Sequence, residues 1–371
     1  MMKPLITLSL TLLLGTTHAQ SVPKIGVLYV YSADGKQDRA YNQSVAEGIS
    51  RAAADFKVEL QEYLPKQLSN DPGINAFVQE NHDLLIGVGF QSEAPISKAA
   101  LANPKSSYAL VDAQSSAKNV RSISFREEEG SYLVGYIAAL KTSTGVIGFV
   151  GGMDIPIIKK FEAGFVAGAR AARKDIKVFS ATLGNTPKAF SDPEGAKKLA
   201  ATLKAKGADI IFAAAGKSGD GVIAFVTEQQ CIKASELPKQ VSFRSDAYKA
   251  VPKSATYLSK CAGNTRPMFF IGVDTNQNYL GDTDSNPKTL NHGLTSMVKN
   301  MDIAVYRSIA DVMSGSFSGG NRSYGLNENG VGFAYDSFNA DLITRSEYST
   351  LQKVYRQVAT GGIQVPTIRP K

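Results

Sequence analysis

Two adjoining stretches decide the fold: KIGVLYV, residues 24–30, and DGKQDRAYNQSVAEG, residues 34–48. The first is apolar and rich in β-prone residues, which is typical of a buried strand. The second begins with polar loop residues and continues as a helical pattern, in which Asn42 is expected to be the N-cap. Tyr41 lies at this strand-to-helix junction, where a loop is ordinarily polar, so its ring needs an explanation.

The same alternation of strand and helix continues along most of the chain. Strand-like runs such as DLLIGVGF (83–90) and ADIIFAAAG (208–216) are separated by helical stretches such as residues 156–174. This rhythm predicts an α/β fold built of parallel βαβ units, whose sheets are covered by helices on both faces.

The alternation occurs twice, which predicts two lobes. One series ends near Ser124, and a second runs from about Glu127 to the strand MFFIGVD (268–274). We expect a first lobe of residues 20–124 plus 275–322 and a second lobe of residues 125–274 plus 323–371. Two similar lobes favour a hinged ligand-binding protein, although many enzymes are also bilobal.

The last third of the chain predicts three further elements. HGLTSMVK (292–299) has the pattern of a strand, and NMDIAVYRSIADVMSG (300–315) that of a helix. YGLNENGVGFAYD (324–336) has turn residues between apolar runs, which predicts a β-hairpin.

The N-terminus has the pattern of a secretory signal peptide, residues 1–19. Lys3 precedes an apolar run at residues 5–14, and a small-residue cleavage site ends at Ala19. The apolar run is too short to span a bilayer. No cysteine lies near the cleavage site, so we expect an exported protein that is not lipidated.

Cys231 and Cys261 are the two cysteines of the sequence. In an oxidising compartment they predict one disulfide, worth ~3–4 kcal/mol in the chain-entropy treatment, with two buried free thiols as the alternative. They bracket a weakly periodic segment at about residues 228–266. We expect that segment to be a surface-exposed insertion, stapled at its base and outside the core.

The charge does not indicate a nucleic-acid partner. The chain has 41 Lys and Arg against 33 Asp and Glu, a formal charge of +8. The basic residues are scattered singly or in pairs, and no stripe of basic and aromatic residues is present. A solvated surface is therefore favoured over a phosphate-binding groove.

Two segments resemble nucleotide-binding motifs of enzymes, but each lacks a glycine that its motif requires. GVGFQS at 87–92 ends in Ser92 where a dinucleotide fingerprint needs its third glycine, and GKS at 216–218 lacks the glycine that a phosphate loop has five residues earlier. Outside the leader, His82 and His292 stand apart from metal-ligand spacing. We expect no enzymatic activity, no cofactor and no metal.

The strand ends predict a ligand site, because ligands of open α/β sheets bind beyond the carboxyl ends of the strands. The candidate ligand-binding residues are Asp34, Tyr41, Asn42, Asp112, Phe190, Gly216, Asp274 and Lys299. Aromatic faces can enclose a flat heterocycle, at ~1–3 kcal/mol per stacked base. Carboxylates accept paired hydrogen bonds from vicinal hydroxyls, a lysine donates, and a glycine lets a ligand approach the backbone. The set is complementary to a nucleoside.

Each candidate also has an ordinary structural explanation. A strand-end aspartate often caps a helix. Tyr41 and Phe190 can each be a hydrophobic staple that packs on its helix. Gly216 can be a turn glycine, and Lys299 a surface residue.

Several long blocks resemble the basic membrane protein family, the purine-nucleoside-binding components of ABC importers. VGYIAALKTSTGVIGFVGGMDIPIIKKFEAGFVAGARAA (134–172) resembles its signature block. Other blocks follow the family order: DRAYNQSVAEG (38–48), NPKSSYALVDA (103–113), AAGKSGDGV (214–222), GVDTNQNYL (272–280) and LTSMVKNMDIAVY (294–306). The resemblance covers nearly all of the chain after the leader, except the cysteine-bracketed segment.

The resemblance implies the type I periplasmic binding fold, two doubly wound parallel-sheet lobes joined by a three-strand hinge. Tyr41 and Phe190 would then stack on a purine. Ligand contacts would also come from Asp112, Gly216, Asp274 and Lys299, with Asp274 and Lys299 on the ribose side. A periplasmic monomer that delivers its ligand to a permease in the inner membrane is implied as well.

The sequence departs from the family pattern in the first loop. Phenylalanine is usual where this chain has Tyr41, and a buried phenol hydroxyl needs a partner. The family commonly has an aspartate early in this loop, and a gapless alignment places Ser32 at that position. Asp34 can take the place of the aspartate only if the alignment is shifted. Three alternatives stay open. In the first, the same fold binds a sugar, a modified nucleoside or another small metabolite. The second is a nucleoside-processing enzyme, and the third is a sensor that signals to a membrane receptor.

Overall fold

The computed structural model describes residues 22–68 and 70–370. The predicted signal peptide and its cleavage site after Ala19 lie outside these residues. Within the described ranges, no helix is both long enough and apolar enough to cross a bilayer.

Strands and helices alternate through the first three quarters of the chain. The first elements are β1 (Lys24–Leu28), α1 (Tyr41–Asp55), β2 (Glu59–Tyr63), α2 (Pro72–Val78), β3 (Leu84–Val88), α3 (Glu93–Ala102), β4 (Ser107–Val111) and β5 (Val120–Phe125). There follow α4 (Glu127–Lys141), β6 (Val146–Met153), α5 (Pro156–Ala172), β7 (Lys177–Gly184), α6 (Pro193–Ala205), β8 (Ile210–Ala214), α7 (Gly219–Gln229), β9 (Cys231–Lys233), α8 (Ala255–Lys260), β10 (Thr265–Pro267) and β11 (Phe269–Asp274). The last are β12 (Gly293–Lys299), α9 (Met301–Met313), β13 (Gly320–Tyr324), β14 (Val331–Phe333) and α10 (Arg345–Ala359).

Each lobe contains a six-stranded sheet. The first has the order β13-β5-β4-β3-β1-β2, and the second β14-β12-β11-β8-β6-β7. All pairs in the first sheet are parallel, and in the second only β14, which pairs with β12, is antiparallel. The central strands are buried on both faces by helices, which explains their nearly continuous apolar sequences. The predicted α/β fold with two doubly wound sheets is confirmed.

The chain passes between the two sheets three times, as the family resemblance implied. It leaves the first sheet after β5, returns to it between β12 and β13, and leaves again between β13 and β14.

Two predictions about the last third were wrong. The assignment of residues 275–322 to the first lobe was wrong for β12, which pairs with β11 and β14 of the second sheet, whereas α9 packs on α1 and β13 pairs with β5 in the first lobe. The hairpin expected at 324–336 does not form, because β13 pairs with β5 and β14 pairs with β12. Local patterns identify a short strand without revealing its sheet, since pairing partners lie far away in sequence. The other lobe boundaries remain a prediction.

The cysteine-bracketed segment is tied down as predicted and is not wholly on the surface. Cys231 and Cys261 form a disulfide, and β9 pairs with β10. Tyr248, from the middle of the segment, is buried with its ring centroid 4.5 Å from that of Phe269, and its hydroxyl donates to the Lys141 carbonyl at 3.0 Å. The expectation that the segment lies outside the core was therefore wrong for this residue.

The helices α4 and α5 contact each other through their backbones. A Cβ at Gly135 would lie 2.1 Å from the Phe165 carbonyl oxygen, and one at Gly168 would lie 1.9 Å from that of Tyr132. Only glycine permits this approach, so the glycines of the block at residues 134–172 fix the packing of the two helices.

We expect Gly168→Ala to destabilise the protein, although alanine is the better helix former by about 1 kcal/mol. The added methyl group must push α4 and α5 apart, which typically costs about 1–3 kcal/mol. Gly219→Ala is the control, because a Cβ there would have ordinary contacts, with its nearest neighbour at 3.6 Å. Thermal and urea unfolding of both variants test this, and an undiminished stability of Gly168→Ala would contradict the packing argument.

Candidate functional site

A cavity of about 490 Å³ lies between the two lobes. Its size is within the range of about 300–1,000 Å³ that is usual for small-molecule sites. The wall is mostly apolar and includes Ile155, Ile157 and Phe161 from the start of α5. A few polar groups from strand ends interrupt this wall, as expected of a site that orients a ligand.

The structure brings together six of the eight predicted ligand-binding residues. The six that line the cavity are Tyr41, Asp112, Phe190, Gly216, Asp274 and Lys299. The strand-end rule therefore selected side chains that are distant in sequence and adjacent in space. Asp34 and Asn42 do not line the cavity.

Asn42 was expected to be the N-cap of α1, which was wrong. The helix begins at Tyr41, and the Asp38 carboxylate accepts hydrogen bonds from the backbone N–H groups of Ala40, Asn42 and Gln43 at 3.0–3.1 Å. The Asn42 amide instead donates to the carbonyl oxygens of Val30 and Gly35 at 2.9 and 3.0 Å. Asp38 and Asn42 together fix the β1–α1 loop and thereby the first helical residue, Tyr41.

Tyr41 has the partner that its hydroxyl needs. The hydroxyl donates to Asp112 Oδ2 at 2.6 Å. Burial, followed by the charge of Asp112, raises the pKa of Tyr41 well above its usual range, so the phenol remains a donor. Gly89 stands beside the ring: a Cβ there would lie 3.8 Å from Tyr41 Cε1.

Phe190 lies on the other lobe, against two glycines. A Cβ at Gly152 would lie 2.3 Å from Phe190 Cε1, and one at Gly216 would lie 3.5 Å from Phe190 Cδ1. Gly216 also has φ +54°, a conformation that other residues rarely adopt. Gly152 was missed by sequence reasoning, although the glycine pair in VIGFVGGM marked a place where a backbone is closely approached.

Lys299 is a buried cation between two carboxylates. Its side chain is 1% exposed, its ammonium donates to Asp112, and Glu127 Oε1 lies 3.0 Å from its Nζ. Burial opposes its charge, but Asp112, Glu127 and Asp274 raise the pKa of Lys299 above its usual range. Glu127 was missed because residues 127–129 are three glutamates at a helix start, a pattern that helix dipoles explain.

Asp274 is the unpaired carboxylate of the cavity. Its side chain is buried and lines the cavity, and none of the described residues donates a hydrogen bond to it. Burial raises the pKa of Asp274 to about 7, against the opposing effect of Lys299. Asp112 and Asp274 both have positive φ, 59° and 66°, at the ends of β4 and β11. An unpaired acceptor in this position can bind ligand donors.

A group of charged residues, which we call the rim cluster, connects the lobes at the edge of the cavity. It consists of Asp34, Arg39, Lys217 and Asp220. Arg39 Nη2 lies 2.6 Å from Asp220 Oδ2, and Lys217 Nζ contacts both Asp220, at 2.6 Å, and Asp34. Asp34, predicted to bind ligand, is thus a partner of Lys217, which itself lines the cavity.

The backbone of Arg39 reinforces this connection. Its carbonyl oxygen accepts hydrogen bonds from Thr275 Oγ1 at 2.7 Å and Gln277 Nε2 at 2.9 Å, both from the second lobe. Arg39 has φ 58°, which is uncommon for a residue other than glycine. The β1–α1 loop therefore contacts the opposite lobe through side chain and backbone together.

The acidic side chains of the described residues are not arranged as a metal site. Within residues 22–68 and 70–370, no group of three or more His, Cys, Asp or Glu side chains could hold a metal ion. Of the acids that line the cavity, Asp38 is held by backbone N–H groups and Asp112 by Lys299, whereas Asp274 accepts no hydrogen bond from the described residues.

Comparisons with known proteins agree with this geometry. Residues 24–368 match the family model described as ABC transporter substrate-binding protein PnrA-like. A Lactococcus lactis protein named ABC transporter nucleoside-binding protein BmpA is 32% identical over 347 residues, 91% of this chain and 88% of that protein. Basic membrane protein A of Borreliella afzelii is 29% identical over 320 residues, 84% and 82% of the two chains. The crystal structure of an ABC transporter solute-binding protein from Aeropyrum pernix, 24% identical, superposes with a TM-score of 0.71 over 94% of each chain.

We expect Asp274→Asn to stabilise the ligand-free protein above about pH 7. An unfolded chain releases this proton at a pKa of about 3.9, whereas the folded protein retains it to about 7. The folded state is therefore penalised increasingly between about pH 4 and 7, and constantly above. Asparagine removes the charge and tolerates the positive φ.

Thermal midpoints at about pH 8 and about pH 4.5 test this sign, with a gain of several degrees expected at the higher pH only. Asp341→Asn, at an exposed position, is the control and should change neither midpoint. An equal shift of Asp274→Asn at both pH values would show that its charge is not the cause.

We expect Asp220→Asn to loosen the contact between the lobes, because it removes the carboxylate that both cations of the rim cluster share. Small-angle scattering of the ligand-free protein should give a larger radius of gyration. Glu228→Gln is a matched control on the same helix, where Glu228 pairs with Lys197 at 2.8 Å within the second lobe. Surface pairs of that kind are worth about 0–1 kcal/mol and should not move the lobes. Indistinguishable scattering from both variants would remove the rim cluster from lobe closure.

Proposed function

The chain belongs to the PnrA-like family of ABC transporter substrate-binding proteins, and from this premise we propose that it binds a purine nucleoside between its lobes and delivers it to an importer. The family consists of substrate-binding components and not of enzymes. The observation that carries the proposal is the unpaired buried carboxylate of Asp274, which faces a cavity lined by aromatic rings from both lobes.

The aromatic rings suit a flat base. Tyr41 belongs to the first lobe and Phe190 to the second, and both line the same cavity. A purine between them would gain ~1–3 kcal/mol per stacked face. The Lactococcus lactis relative is named as nucleoside-binding, which supports the same class of ligand here.

The polar groups suit a sugar. The carboxylate of Asp274 can accept hydrogen bonds from two vicinal hydroxyls, as such groups do in bidentate contacts. The ammonium of Lys299 has three protons and donates one of them to Asp112, while Glu127 Oε1 lies 3.0 Å from its Nζ. A remaining proton can be donated to a ligand oxygen. Ribose would therefore lie at the Asp274 side of the cavity.

Binding would stabilise the closed arrangement of the lobes. A ligand that contacts both lobes binds the closed form more tightly than the open form and so shifts the population towards closure. The rim cluster would add its contacts only when the lobes are together. The closed form would then be the one that a permease of the inner membrane recognises.

The same proposal covers location and assembly. Substrate-binding proteins of ABC importers act outside the cytoplasm. We propose that this chain works in the periplasm as a monomer without a lipid anchor, after removal of residues 1–19, and that it has no nucleic-acid partner.

Calorimetric titration of the ligand-stripped protein with adenosine, guanosine, inosine, cytidine and ribose tests the proposal. We expect tight binding of purine nucleosides and little response to ribose, because the rings would supply much of the affinity. Binding that depends on the sugar alone would favour the alternative ligand class, a sugar. No binding by folded protein would leave the family membership intact and refute the proposed ligand.

The same titrations with Asp274→Asn examine the sugar side. Loss of a hydrogen bond to a charged group costs about 1.5–3 kcal/mol, so the affinity should fall at least about tenfold. Asp341→Asn again serves as the control. A folded Asp274→Asn protein with undiminished affinity would exclude Asp274 from the site.

A further inference from the structure

Asp112 and Asp274, the two strand-end carboxylates of the cavity, differ in their partners. Asp112 Oδ2 accepts hydrogen bonds from the Tyr41 hydroxyl, at 2.6 Å, and from the Lys299 ammonium. Asp112 Oδ1 is buried and has no partner. Asp274, by contrast, receives no hydrogen bond from the described part of the chain and is turned to the cavity. One oxygen of Asp112 is thus bound by the protein and the other is buried, whereas the carboxylate of Asp274 is open to the cavity.

We infer that the Tyr41 hydroxyl is a specificity determinant: it takes the place of a ligand hydroxyl at Asp112 and leaves Asp274 to select the sugar. This rests on the proposed function. The inferred role belongs to the hydroxyl group of Tyr41, which a phenylalanine at this position would lack. Stacking on a base, by contrast, needs only the aromatic ring.

The phenol is held in place before any ligand arrives. Tyr41 is the first residue of α1, and the Asp38 carboxylate fixes that helix start through three backbone N–H groups. Gly89 lies beside the phenol, since a Cβ there would be in ordinary contact with Cε1 at 3.8 Å and with the hydroxyl oxygen at 3.9 Å. A preorganised donor loses little conformational entropy when it binds Asp112.

A ligand hydroxyl would have to displace this donor to reach Asp112. The ligand would gain one hydrogen bond to a carboxylate, and the phenol would lose one of the same kind and remain unpaired in a buried place. The displacement is therefore unfavourable, and the phenol keeps its hydrogen bond to Asp112 when a ligand binds. The wild-type protein should discriminate weakly between a nucleoside and the analogue that lacks the hydroxyl at this position. In Tyr41→Phe the same ligand hydroxyl would bind without competition.

The test compares ratios of affinity in two proteins. The probes are the purine nucleoside that binds the wild type most tightly and its 2′-, 3′- and 5′-deoxy forms. For one deoxy form we expect a Kd within about threefold of the parent in the wild type. In Tyr41→Phe the same deoxy form should bind at least about tenfold more weakly than the parent, as one hydrogen bond to a charged group predicts. Ratios cancel any general loss of affinity or stability.

Tyr306→Phe is the matched control. Its hydroxyl donates to Asp55 Oδ2 at 2.8 Å on the surface, so it removes a tyrosine–aspartate hydrogen bond outside the cavity. It should leave all ratios as in the wild type. Tyr41→Phe keeps the ring, and Asp112 keeps Lys299 as a partner, so the variant is expected to fold.

The outcomes separate the two proposals. If the wild type binds no purine nucleoside, the proposed function fails and this inference fails with it. If it binds purine nucleosides, and all three ratios are the same in Tyr41→Phe and the wild type, only the role of the Tyr41 hydroxyl is refuted. A selective change in one ratio supports the inference and identifies the hydroxyl that competes with Tyr41.

Discussion

The site depends on the ion pairs that the buried ammonium of Lys299 forms with Asp112 and Glu127. A buried lysine loses its hydration, at an effective cost of several kcal/mol, and must be surrounded by carboxylates with good geometry. Asp112 comes from the end of β4 in the first sheet, and Glu127 begins α4, just after the chain has left that sheet. Lys299 itself ends β12 in the second sheet. The charge of Lys299 therefore requires that the segments bearing Lys299, Asp112 and Glu127 keep fixed positions relative to one another.

This requirement explains why the acids around Lys299 are not equivalent. Lys299 and Tyr41 occupy Asp112, and Lys299 with Lys160 neutralises Glu127. The carboxylate of Asp274 is left without a hydrogen-bond donor among the described residues. Removing a buried charge from water without such a donor is unfavourable, and a ligand that supplies donors reverses the penalty. Under the proposed function, the unpaired carboxylate that destabilises the empty protein would also strengthen ligand binding, a trade-off that is common at functional sites.

Sequence reasoning predicted the fold and brought together six residues that line the cavity, for a definite physical reason. Parallel strands deliver their carboxyl ends to one edge, so Asp112, Phe190, Asp274 and Lys299 could be placed together without a structure. It failed where the outcome depended on a distant partner. The sheet of β12 is set by pairing with β11. The start of α1 is set by the path of one loop, which brings the Asp38 carboxylate to three backbone N–H groups where Asn42 was expected to cap. Glu127 was hidden because its charge served equally well as an ordinary helix-start residue.

The contacts differ in how easily they can be broken. Within the second lobe, α4 and α5 meet backbone to backbone at glycines, and closely packed interfaces of this kind deform little. Across the edge of the cavity, Arg39 and Lys217 hold the lobes together through ion pairs and hydrogen bonds to the opposite lobe. Water can replace such partners at small net cost, since a partly exposed ion pair contributes about 0–1 kcal/mol. Under the proposed function, the lobes would separate while each keeps its own packing. Closure would then gain most of its free energy from a ligand that fills the apolar cavity and donates hydrogen bonds to Asp274.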